Sequence, residues 1–78
     1  RMAFKENMKS LRKVLDLTQA QAAEKTGLKK HNIGAYEEGR SEPSFEDLIK
    51  ITTAYDIKKE DLHAFLYEEY NVLTEKTS

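Results

Sequence analysis

Two short helical segments meet at Gly27, and the spacing around that glycine limits the possible folds more than any other feature of the 78-residue chain. The segment over 19–26 follows Thr18, a good N-cap, with Gln21 three positions on to complete a capping box. Gly27 stands where a helix end calls for a residue tolerant of positive φ. A second segment over 30–38 runs to Gly39, another natural C-terminal stop. Helices joined by so tight a turn cross closely, so the first needs a small residue at the crossing, and Ala23 supplies it. The second must anchor inward, and Ile33 and Tyr36, three apart, share one face. Leu28, just past the turn, is placed to plug the core.

The rest of the chain also reads as helix. Phe4, Met8, Leu11 and Leu15 make one stripe over 3–16. Ser44 caps a segment over 45–55, with Glu46 and Asp47 favourably placed in its first turn. Its expected inward stripe is Phe45, Leu48, Ile49, Thr52 and Tyr55. A last segment over 60–70 carries Leu62, Phe65, Leu66 and Tyr70. Nothing alternates with period two for long enough to argue a strand. The expected fold is all-α, a compact five-helix bundle over 3–70, with a C-terminal tail over 71–78.

Composition removes several classes of function. There is no Cys, hence no disulfide framework, thiolate nucleophile or zinc finger. No apolar run approaches the roughly 20 residues of a membrane span. The first residues lack the apolar stretch of an export signal, so the expected compartment is the cytoplasm. A chain this short buries only about 60 % of its unfolded surface, which leaves little wall for an enclosed active site. His31 and His63 have no carboxylates arranged for a metal, and 56–61 lacks the spacing and glycine of a calcium loop. No Ser–His–acid set or Gly-rich phosphate loop is present, so neither an enzyme nor a cofactor is expected. The net charge is -1, but residues 1–40 hold nine basic and five acidic residues while 41–78 hold four and nine. Such a split points to a positive face for an anionic partner, with the acidic half turned elsewhere.

The crossing at Gly27 is the helix-turn-helix arrangement. The residues that build it are the run from Thr18 to Leu28, then Ile33, Tyr36-Glu37-Glu38-Gly39-Arg40 and Pro43-Ser44. This series resembles the Cro/CI-type (lambda-repressor-like, XRE) family of DNA-binding domains, from Leu11-Arg12 to about Leu66. The chain departs from the family at three places. Ala22 replaces the usual Leu before the small Ala, Gly34 lies inside the second helix, and Lys29 replaces the usual Ser or Thr at its N-cap. The last two each cost up to about 1 kcal/mol of helix stability. A cation at the positive end of a helix makes sense if a phosphate sits there in the bound state.

The resemblance implies sequence-specific binding of double-stranded DNA by a transcriptional regulator of repressor type. The second helix of the motif then enters the major groove. Lys30, His31 and Ala35 are the outward positions nearest the bases, with Asn32 close by. Lys30 suits guanine O6 or N7, and Ala35 a thymine methyl. Gln19, Lys29 and Arg40 are expected on phosphates, with Asn32 a further contact. Arg12 is expected to pair with Glu37 in a structural role. One domain touches few bases, so a homodimer on an inverted-repeat operator is expected, suggested by apolar Phe65, Leu66, Tyr67 and Tyr70. The alternative is a protein-interaction module, such as the antitoxin partner of a toxin, with DNA binding secondary or lost.

Overall fold

The computed structural model describes residues 3–70. Its elements are α1 (Ala3–Val14), α2 (Gln19–Thr26), α3 (Lys30–Glu38), α4 (Phe45–Ala54), a 3-10 turn (Lys59–Asp61) and α5 (Leu62–Tyr67). No strand occurs among the described residues, as the periodicities require. The tail over 71–78 lies outside the described residues.

Local chemistry explains where the helices begin and end. Thr18 Oγ1 accepts from Gln21 N at 3.1 Å while Gln21 Oε1 accepts from Thr18 N at 2.8 Å, so the capping box is complete. Ser44 Oγ accepts from Asp47 N at 3.0 Å at the start of α4. Gly27 and Gly39 close α2 and α3 in the left-handed conformation, at φ 81° and 75°. Asp16 and Asp56 do the same after α1 and α4, at φ 60° and 56°, a region that Asp tolerates better than most side chains. Lys29 makes no side-chain cap, so α3 begins without that support.

Tyr55, Phe65, Met8, Leu11, Ile33 and Ile51 are the largest fully buried side chains. Phe65 is the hub: Phe4 and Tyr70 meet it edge-on, with ring centroids 5.5 and 5.6 Å away. Ala22 is fully buried, and Ala23 is partly buried against the same core.

Two expectations about the core are corrected. Phe45 and Ile49 do not face inward; they are 81 % and 52 % exposed. The inward stripe of α4 is Leu48, Ile51 and Tyr55. Ile49 lies about 100° round the helix from Leu48, far enough to leave that stripe. The final helix is also shorter than 60–70: its first turn is the 3-10 turn, and the chain straightens after Tyr67.

A polar side chain fastens the C-terminal end. Asn7, buried on α1, donates through Nδ2 to the carbonyls of Phe65 at 2.9 Å and Glu68 at 2.6 Å. Its Oδ1 accepts from Tyr70 N at 3.1 Å. One amide thus satisfies the loose carbonyls at the end of α5 and the backbone that follows.

Candidate nucleic-acid interface

The interface begins with the pair that fixes α3. Arg12 Nε and Nη2 reach Glu37 Oε2 and Oε1 at 2.7 and 3.0 Å, and Arg12 Nη1 donates to Leu17 O at 2.8 Å. The two side chains are 10 % and 1 % exposed, so this is a buried, bidentate ion pair between α1 and α3, as the sequence led us to expect. The Glu37 hydrogen bond holds the Arg12 guanidinium above its usual pKa against the opposing effect of burial. Tyr36 adds a second tie: its hydroxyl donates to Asp47 Oδ2 at 2.5 Å, linking α3 to the first turn of α4.

With α3 held this way, its N-terminal end faces solvent. Lys29, Lys30 and His31 are exposed, and Asn32 is half-buried. Neither α2 nor α3 has an acidic residue in its first turn. Cationic side chains and the positive end of α3 therefore share this side without a carboxylate in that first turn, an arrangement that attracts phosphate.

Ala35 departs from expectation. It is 4 % exposed, so its methyl belongs to the interior and is not available to a thymine. Its carbonyl accepts from Arg40 N at 2.9 Å, closing the end of α3. Gln19, expected on phosphate, is half-buried and donates through Nε2 to Glu37 Oε1 at 3.2 Å. Arg40 is exposed but not isolated. Its Nε contacts Glu38 Oε1 at 2.7 Å, and this holds the Glu38 carboxyl below the usual carboxylate range.

The structure adds a cation that sequence reasoning missed. Lys5 of α1 lies across Gly39, where a Cβ would stand 2.8 Å from its Cδ and 3.3 Å from its Nζ. Lys5 thereby joins Arg40 at the C-terminal end of α3. No spacing rule relates residues so far apart in sequence, so only the packing of α1 on α3 discloses the contact.

Comparison with known proteins agrees with this geometry. The helix-turn-helix family profile matches residues 8–62. The chain is 36 % identical over 61 residues to the cryptic phage CTXphi transcriptional repressor RstR of Vibrio cholerae, covering 78 % of this chain and 54 % of that protein. It is 41 % identical over 54 residues to the HTH-type transcriptional regulator YqaE of Bacillus subtilis, covering 69 % and 47 %. It is 35 % identical over 66 residues to the HTH-type transcriptional regulator MJ0272 of Methanocaldococcus jannaschii, covering 85 % and 97 %. The chain thus spans about half the length of the first two relatives and nearly all of the third. No solved structure matched the chain. The match over most of its length, together with the capped helices, the left-handed Gly27 and the buried Arg12–Glu37 pair, shows that the chain belongs to the Cro/CI-type (XRE) helix-turn-helix family of DNA-binding transcriptional regulators.

Proposed function

We propose that the chain binds duplex DNA sequence-specifically and represses or otherwise regulates transcription, with α3 in the major groove. The observation that carries this reading is the exposed Lys29-Lys30-His31 run at the unobstructed N-terminal end of α3. Lys30 and His31 contact base edges there, with Asn32 beside them. Lys29 and Arg40 contact phosphates, and Lys5 adds a third cation near Arg40. Binding needs no cofactor: neutralised phosphates release counterions, and the side chains on α3 read the groove. RstR is named a phage transcriptional repressor, and the same role is the reading proposed for this chain.

We infer a homodimer on an inverted repeat, with half-sites about one helical turn apart. Phe65 and Tyr70 no longer support it, because both are core. The exposed Tyr67 and half-buried Leu66 on α5 remain its apolar candidates. Among the described residues no helix is long and apolar enough to cross a membrane, and no group of three or more His, Asp or Glu is placed to hold a metal ion.

A protein-interaction module, such as an antitoxin partner, is the second reading. It is favoured by Phe45 and Ile49, two apolar side chains one turn apart on the outside of α4. Selection of duplexes from a random pool tests the two. Enrichment of a defined motif supports the first reading, and uniform recovery with no enrichment supports the second.

A further inference from the structure

Glu37 has a third partner besides the two guanidinium nitrogens of Arg12: its Oε1 also accepts from Gln19 Nε2. An ionised carboxylate only accepts, so this contact sets the orientation of the Gln19 amide, with the NH₂ turned inward. The outer end of that amide lies over Gly34. A Cβ at Gly34 would stand 3.7 Å from Gln19 Oε1, 3.9 Å from Gln19 Nε2 and 3.8 Å from Arg40 Nη2. Gly34 follows Lys30 by four residues and His31 by three, so it shares their face of α3. Its backbone does not require glycine, since its φ is not left-handed and a methyl there would make only ordinary contacts. Gly34 is itself buried, and Gln19 and Arg40 occupy the space that a side chain there would take.

We propose that Glu37 is a positioning residue for DNA recognition: held by Arg12, it fixes the Gln19 amide across Gly34 and beside Arg40, so that Gln19 meets the duplex in one orientation next to Lys30 and His31. This rests on the DNA-binding reading. The pre-set amide offers Oε1 as an acceptor and the one N–H that Glu37 does not use as a donor. Glu37 itself is buried and touches no DNA.

The test is a double-mutant cycle in affinity for a duplex that the wild-type chain has enriched from a random pool. Gln19→Ala is measured in the wild type and in the Arg12→Met, Glu37→Leu background, which leaves neither charge buried alone. The expected loss from Gln19→Ala is about tenfold in the wild type, the equivalent of about 1.4 kcal/mol, and under twofold in the double variant. Equal losses in both backgrounds, or no loss in the wild type, would overturn the proposal. Gly34→Leu provides a route that keeps the ion pair: its leucine takes the place of the Gln19 amide, so in the variant shown by melting to be folded the Gln19→Ala effect should disappear. A full Gln19→Ala effect in that folded variant also overturns the proposal. A wild-type chain that enriches no duplex defeats the DNA-binding reading first and this proposal with it. Wild-type binding with an unchanged Gln19→Ala loss defeats this proposal alone.

Discussion

Lys30 and Arg40 stand at opposite ends of α3 and are given different tasks. Lys30 is exposed in the first turn, where side chains reach base edges. Lys30→Ala is expected to cost about 1–3 kcal/mol on the preferred site and to relax preference at one position. Competition against single-base variants of that site measures it, and equal weakening on every sequence would show that Lys30 contacts phosphate instead. Arg40 shares its charge with Glu38 across 2.7 Å. Glu38→Gln should therefore free the guanidinium and tighten binding to all duplexes alike, as read by fluorescence anisotropy; weaker binding would mean that Glu38 orients Arg40 for its contact. The exposure of Lys29, Lys30 and His31 was legible in the sequence, because they sit at fixed offsets from Gly27. Ala35 was not. Its burial depends on how α3 is rolled against the core, and its small side chain gives no sign of which way it points.

The helix ends of α2, α3 and α4 could be read in advance because their signals are local. Thr18, Gln21, Gly27, Gly39 and Ser44 act within a few residues, and all behave in the structure as their chemistry demands. The faces of α4 were harder to assign. An apolar residue in a first turn, such as Phe45, satisfies a helical period whether or not another element lies beside it, and here solvent does. The Asn7 clamp was invisible, since it joins residues about 60 positions apart through backbone groups. Asn7→Ala should leave the carbonyls of Phe65 and Glu68 without their donor and cost about 1–3 kcal/mol. Amide hydrogen exchange should show α5 losing protection before α2 and α3, and uniform loss across all helices would contradict the clamp. Gly34→Ala should stabilise α3 by up to about 1 kcal/mol, because its methyl meets only ordinary contacts. A lower melting temperature would show that the space over Gly34 is needed by the fold.

At the scale of the whole molecule, a small core is held together by a few buried or half-buried polar ties between helices. Arg12–Glu37 joins α1 to α3, Tyr36–Asp47 joins α3 to α4, and Asn7 joins α1 to the end of α5. Two of these neighbourhoods respond to high pH. Burial, and then the bond to Asp47, pushes the Tyr36 phenol up to about 12. Burial, and then the charge of Glu37, does the same for Tyr55. The unfolded chain releases these protons near pH 10, so both phenols stabilise the fold fully below about pH 10, and that contribution is lost as pH rises toward 12. Melting curves recorded alongside phenolate absorbance should show stability falling over that interval, with Tyr36→Phe removing part of the fall; a flat profile would contradict the assignment.

Binding to an enriched duplex across a range of salt concentrations bears most directly on the central claim that the cationic end of α3 engages DNA. The logarithm of affinity is expected to fall linearly with the logarithm of salt, and removing Lys29 is expected to lower that slope by about 1. Affinity that does not respond to salt, or a slope unchanged without Lys29, would contradict it.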